Sequence, residues 1–155
     1  MDAPAPFLRR AVLSDRGPIE KLQSAAYAPM AVLTARTPIP LMWDYGEKLR
    51  DWDVWVSEDA AGLTGVLMLH LRDDDLYLES IAVHPRMSGT GLGGKLLAAT
   101  DAAALAEGRL IVRLLTNEKN VDRIELYKRK GFVIEFIEEM ADRRAVHMVK
   151  HLTQV

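Results

Sequence analysis

Residues 86–94, Arg-Met-Ser-Gly-Thr-Gly-Leu-Gly-Gly, gather four of the chain's ten glycines into nine positions. An apolar run (LYLESIAV, 76–83) precedes them and an Ala/Leu-rich stretch (95–107) follows, so the order reads strand, glycine loop, helix. Glycines there permit positive φ and let a ligand approach the main chain. The free N–H groups of a helix start, aided by the helix dipole, favour a bound phosphate. Arg86 and Lys95 can add charge; the plainer reading is a tight turn. Gly89-x-Gly91-x-x-Gly94 also fits a dinucleotide fingerprint, with Glu118 24 residues after Gly94, and so admits a nicotinamide-dependent oxidoreductase. The context opposes that reading. The fingerprint opens a first βαβ unit directly after its strand, whereas Pro85 and several loop residues separate Val83 from Gly89.

The rest of the chain supplies that context. Strands are expected at 7–13, 53–58, 63–71 and 76–83, the last three joined by turns at 59–62 and 73–75 as an antiparallel series. A helix capped by Ser14 or Asp15 runs to about Ala28, and the prolines of 29–40 predict a loop before a second helix near 41–50. The run 110–115 (LIVRLL) reads as a strand covered on both faces. A helix over 120–130 and strands near 132–139 and 144–151 follow. The fold class is α/β: a mixed, mostly antiparallel twisted sheet flanked by helices, with one parallel crossover, in a single domain over 1–155.

Composition narrows the function. Twenty Lys+Arg against 22 Asp+Glu leave no basic excess for nucleic acid. No apolar run reaches the ~20 residues of a membrane span, and residues 1–7 lack the basic and apolar regions of a secretory signal. Absence of cysteine excludes thiol catalysis and Cys-based zinc sites. Cytoplasm is the simplest address.

Glu79 is the conspicuous carboxylate. Strand alternation predicts Tyr77, Glu79, Ile81 and Val83 on one face, and an isolated carboxylate among apolar neighbours is costly unless paired or protonated. Desolvation would raise its pKa toward a range useful for accepting a proton. A general base, a substrate ligand and a structural partner of an arginine remain open. Trp43, Trp52 and Trp55 read as core, Asp73 to Asp75 as a turn. His70, His84, His147 and His151 show no catalytic partner, and no metal is expected.

The phrase Ile81-Ala82-Val83-His84-Pro85, then Arg86-x-x-Gly89-x-Gly91 and Leu96-Leu97, resembles the GNAT superfamily of N-acetyltransferases. Leu114-x-Thr116-Asn117-x-x-Asn120 and Leu126-Tyr127-x-x-x-Gly131-Phe132 extend the likeness, which covers roughly 76–132. Met87 stands where many members have an aromatic, and Ser88 where a basic residue is common. The resemblance implies acetyl-CoA as co-substrate, its pyrophosphate on the backbone of Ser88, Gly89, Thr90, Gly91, Leu92, Gly93 and Gly94 beside Arg86. The pantetheine would lie between the strand of Ile81, Ala82 and Val83 and the strand at 110–115, with the thioester carbonyl bonded near Val83. Asn117 or Asn120 would bind the pantetheine or hold a helix start.

Glu79 also matches a position where members acting on amines carry a general base, direct or through water. Tyr127 is either a core aromatic or the acid whose hydroxyl, near the CoA sulfur, protonates the leaving thiolate. The implied reaction is transfer of acetyl to a primary amine by direct attack in a ternary complex. A small-molecule or peptide amine is the implied acceptor, with Tyr27, Trp43, Asp44, Tyr45 and Glu47 as candidate pocket residues. Residues 41–60 carry a charge balance of −4, which would favour a cationic amine or simply form a solvated face. The rivals are a CoA-binding sensor of the same fold without transfer and a structural subunit. A homodimer through the apolar C-terminal edge is open.

Overall fold

The computed structural model describes residues 1–153. Seven strands form one sheet: β1 (Arg9–Arg10), β2 (Asp53–Asp59), β3 (Gly62–Leu71), β4 (Leu76–Val83), β5 (Ile111–Asn117), β6 (Val133–Glu139) and β7 (Arg144–His151). Their order is β1-β2-β3-β4-β5-β7-β6, antiparallel except for the parallel pair β4/β5. Helices α1 (Arg16–Thr34) and α2 (Tyr45–Asp51) follow β1, α3 (Leu92–Ala106) links β4 to β5, and α4 (Val121–Arg129) links β5 to β6.

Each face of the sheet has its own core. On one, Leu67, Leu69, Leu78 and Ile81 pack with Leu96 and Leu97 of α3 and Tyr127 of α4. On the other, Val54, Val56, Val66, Met68 and Ala82 pack with Ile19 and Leu22 of α1. Gly65 sets the close approach of α3, since a Cβ there would meet Ser57 Oγ at 2.9 Å and Leu96 at 3.2 Å. Beyond β4 the α1 face is thinly covered. Leu115 and Phe136 are exposed on it, and the edge strand β6 is exposed along its whole length.

Four expectations change. The first strand shrinks to Arg9–Arg10 because the Asp15 carboxylate accepts the Val12 N–H (2.8 Å) and both Arg9 Nη atoms (2.9 Å each), turning the chain early. Asp15 therefore occupies the N-cap position of α1 without capping it. α1 runs through Pro29 to Thr34, where a loop is expected. Pro29 removes one donor, but its fixed φ is helical, and Thr34 closes the last turn by donating its hydroxyl to the Met30 carbonyl (2.8 Å). Finally, β5 is not covered on both faces: Val112 and Leu114 are buried while Leu115 is open.

Candidate active site

β4 carries one residue too many for its partner. Met68 pairs with Ser80 and Leu69 with Leu78, so Glu79 has no opposite number and forms a β-bulge. A bulge re-aims a side chain and shifts the alternation of its strand. Leu76 and Leu78 thus share the α3 face with Ile81 and Val83, against the expected grouping of Tyr77 and Glu79 with Ile81 and Val83. The bulge is tied to α1: Gln23 Nε2 donates to Ser80 Oγ (3.1 Å), and Tyr27 Oη lies 3.2 Å from the same oxygen. Glu79 Oε2 comes 3.6 Å from Nδ1 of His70, whose ring stacks on Trp52. Burial pushes the Glu79 carboxyl above its ordinary range, and His70, then Lys48, oppose that rise. The carboxyl is thus neither exposed nor locked to an arginine.

The parallel pairing of β4 with β5 lasts only for Leu76↔Val112 and Tyr77↔Arg113. Asp75 fastens this closed end, accepting from Arg72 Nη2 (2.6 Å) and Arg113 Nη1 (2.8 Å). Those hydrogen bonds, Arg72 first, hold its carboxyl below the usual range against the effect of burial. From Leu78 onward the two strands part. A cavity of about 430 Å³ occupies the opening, reached by Glu79, Ile81, Leu114, Asn120 and Tyr127, and by Tyr27 and Trp43 of the α1 side.

The glycine loop has the geometry of a cradle. Gly89 (φ 79°) and Gly91 (φ 82°) are left-handed, and a Cβ on either would meet nothing within 4 Å. The first bond of α3 is donated by Lys95 to the Gly91 carbonyl (3.2 Å), and no side chain caps the helix. The N–H groups of Leu92, Gly93 and Gly94 precede that bond and are the unsatisfied donors of a helix start. Ser88 and Thr90 instead turn their N–H groups inward, to the carbonyls of Pro85 (3.1 Å) and Met87 (3.2 Å). Such an open, uncapped turn fits a diphosphate.

Arg86 is not aimed at this cradle. Its guanidinium donates to both Asp59 carboxylate oxygens (2.7 and 3.0 Å) and to the carbonyls of Gly62 and Leu63, pinning the loop to the β2/β3 hairpin. The nearby cation is Lys130, whose Nζ would lie 3.4 Å from a Cβ on Gly94. Tyr127 is buried edge-to-face against Phe132, and burial pushes its phenol up to about 12. Asn120 sits at the N-cap of α4 without capping it, while Nδ2 reaches Thr116 Oγ1 at 3.5 Å. Asn117 accepts the Lys119 N–H (2.9 Å); both asparagines line the cavity.

Of the candidate acceptor residues, Tyr27 and Trp43 reach the cavity. Tyr45 instead donates to the Pro40 carbonyl (2.6 Å), and Asp44 caps α2 at Glu47. Trp55 is core, but Trp43 and Trp52 wall the cavity and flank Lys48, whose Nζ lies 4.3 Å from the Trp52 ring. Sequence reasoning missed His70, Lys48, Lys130 and Arg123. His70 had one usable signal: a tight turn at 73–75 places it opposite Tyr77, beside Glu79. Among the described residues, no cluster of three or more His, Cys, Asp or Glu is placed to hold a metal, and no helix is long and apolar enough to cross a membrane.

The profile of the family described as acetyltransferase (GNAT) domain matches residues 50–134. The structure superposes on the ribosomal-protein-S18-alanine N-acetyltransferase from Escherichia coli with a TM-score of 0.76 at 18% identity, covering 96% of this chain and 94% of that one. For the PaiA N-acetyltransferase from Thermoplasma acidophilum in complex with coenzyme A the values are 0.75, 15%, 93% and 97%. For a nourseothricin acetyltransferase they are 0.60 and 23%, with 66% of each chain covered. These likenesses show a shared fold. No curated protein matches the chain in sequence.

Proposed function

The chain belongs to the GNAT family of acetyltransferases and is an acyltransferase, and from that premise we propose that it moves an acetyl group from acetyl-CoA to a primary amine by direct attack in a ternary complex. The observation that carries the reading is the β4/β5 opening, with a half-buried carboxylate on its wall and the uncapped N-terminus of α3 following the end of β4.

The N–H groups of Leu92, Gly93 and Gly94, at positive-φ Gly89 and Gly91, hold the diphosphate, and Lys130 adds charge. Ser88 and Thr90 shape the turn, and Arg86 positions it through Asp59. Ile81, Ala82 and Val83 offer the inner edge of β4 to the pantetheine, with Asn117 and Asn120 facing it from the β5 side. A main-chain donor near Val83 would stabilise the charge developing on the thioester oxygen, an effect of about 3 kcal/mol in comparable sites.

Acetyl-CoA supplies the activated acyl group. A lysine-like amine is protonated below ~10.4 and needs to lose a proton before its lone pair is available. Glu79, raised by burial, accepts that proton directly or through a water. The amine nitrogen then bonds to the acyl carbon, the carbon–sulfur bond breaks, and the departing thiolate takes the Tyr127 proton, while the nitrogen sheds its second proton to solvent, which in turn restores the Tyr127 phenol. A phenol pushed up to about 12 is fully protonated at neutral pH.

Calorimetry with acetyl-CoA, followed by initial rates over both substrates, tests the proposal. Binding with intersecting rate patterns is expected. Parallel patterns would contradict the ternary complex, and binding without turnover of any amine would favour a sensor.

A further inference from the structure

The charges on the cavity wall constrain the acceptor. Four cations reach it, Lys48, Arg123, Arg143 and Arg144, against two carboxylates, Glu79 and Glu138. Most are already answered. Arg143 pairs with Asp142 (2.9 Å), Arg144 with Glu139 (2.8 Å) and Glu118 (3.2 Å), and Glu138 with His147 (2.8 Å). Lys48 reaches Glu47 at 3.6 Å and lies over Trp52. Arg123 alone among these cations has no carboxylate within 4 Å among the described residues, although it faces the cavity.

Its place on α4 separates it from the diphosphate. Lys130 near Gly94, Tyr127 and Arg123 fall on one face of the helix at intervals of three and four residues. Arg123 is thus about 10 Å from the Lys130 end along the axis, on the far side of Tyr127. It is there close enough to Tyr27 of α1 and to Tyr127 for its charge to favour the ionised form of both phenols, against the larger effect of burial. A guanidinium that lines a cavity and meets no carboxylate is suited to take an oxyanion in a bidentate manner. A polycationic amine would meet it as a like charge.

We propose that Arg123 is the acid-recognition residue of the acceptor site: the acceptor is a small amine bearing its own carboxylate or phosphonate, which pairs with Arg123 while the amine faces Glu79 across the β4/β5 opening. This rests on the acetyl-transfer reading. It also reverses what the acidic balance of residues 41–60 suggests, because Asp44 and Glu47 of that segment do not line the cavity.

The test uses matched acceptors: α-amino acids against their carboxamides, and aminoalkylphosphonates against the corresponding plain amines. Acetyl-CoA binding is first established by calorimetry for the wild type, Arg123→Gln and Arg123→Lys. The wild type is expected to favour the acid-bearing member of a pair by about tenfold or more in kcat/KM. Arg123→Gln should bring the ratio near one, mainly through KM, and Arg123→Lys should restore part of it. The carboxylate and phosphonate series show which oxyanion is preferred. Equal use of both members, a preference surviving in Arg123→Gln, or turnover confined to amines without an acid group would overturn the proposal. So would no turnover of any acid-bearing amine by a protein that binds acetyl-CoA. Failure to bind acetyl-CoA would instead overturn the transferase reading beneath it, and calorimetry reveals that before any acceptor is added.

Discussion

The two parts of the proposed site, the glycine loop at the start of α3 and the cavity beside Glu79, are built from different material. At the α3 end the donors are main-chain N–H groups held by two left-handed glycines with Lys130 nearby, while Arg86 faces Asp59 and Thr90 Oγ1 the Met87 carbonyl (2.6 Å). At the Glu79 end the candidate groups are side chains, drawn from β4, α1, α2 and α4 on the cavity wall and from β3 through His70 beside Glu79. Main-chain recognition suits a ligand common to every turnover and tolerates substitution on its rim. Side-chain recognition can change with each residue, so on the proposed function the second end would set the substrate and be the more fragile under mutation.

The sharpest attempt to break this contrast is Glu79→Gln. Turnover at pH 7 should fall by roughly 10²–10³-fold with acetyl-CoA affinity retained. In the wild type, kcat/KM should drop as pH falls through the raised Glu79 value, because protonation removes the base. The variant should lose that acid limb, and unchanged turnover would remove Glu79 from the chemistry.

Asp75→Asn acts on the frame shared by both ends. Removing a buried charge that two arginines answer should cost about 3 kcal/mol in urea unfolding. The sign follows from its lowered pKa. The contribution is present above the ordinary carboxylate range and disappears as pH falls through the depressed native value, so the variant's stability should be flatter in acid.

Tyr127→Phe should lower kcat by roughly tenfold while leaving the acetyl-CoA dissociation constant in place. Loss of binding with kcat intact would assign Tyr127 to packing against Phe132. Asp59→Asn should weaken acetyl-CoA binding a few-fold, much as Arg86→Gln does, because each frees the loop from the hairpin. An effect of Arg86→Gln that Asp59→Asn does not share would show direct contact with the phosphates. Smallest of all, Ser88→Ala should change that affinity by less than about twofold. A large loss would mean that this end also depends on side chains.

The same contrast decides how much was legible in the sequence. A main-chain cradle requires glycines at fixed spacing, so Gly89, Gly91 and the helix start at Leu92 are visible as letters, within three residues of the expected start at 95. Glu79 is visible as an isolated carboxylate in an apolar strand. Its surroundings are not, since alternation assumes one residue per rung, and the bulge moves Ile81 and Val83 to the opposite face from Tyr77. Arg123 reads as one more charge on an amphipathic helix until the ion pairs of its neighbours are known. The continuation of α1 past Pro29 was hidden for another reason: proline marks a break locally, but its fixed φ is helical and the Thr34 hydroxyl closes the last turn on the Met30 carbonyl.

The surplus residue in β4 has one more consequence. Deleting Glu79 would let Leu78 and Ser80 follow each other opposite Leu69 and Met68, healing the ladder without moving any buried side chain to the wrong layer. Such a shortened chain would be the more regular protein and would lack the proposed base, keeping only Glu138, paired with His147, as a carboxylate on the cavity wall. On the proposed mechanism, architectural perfection and chemistry are mutually exclusive at this point in the fold, separated by a single codon.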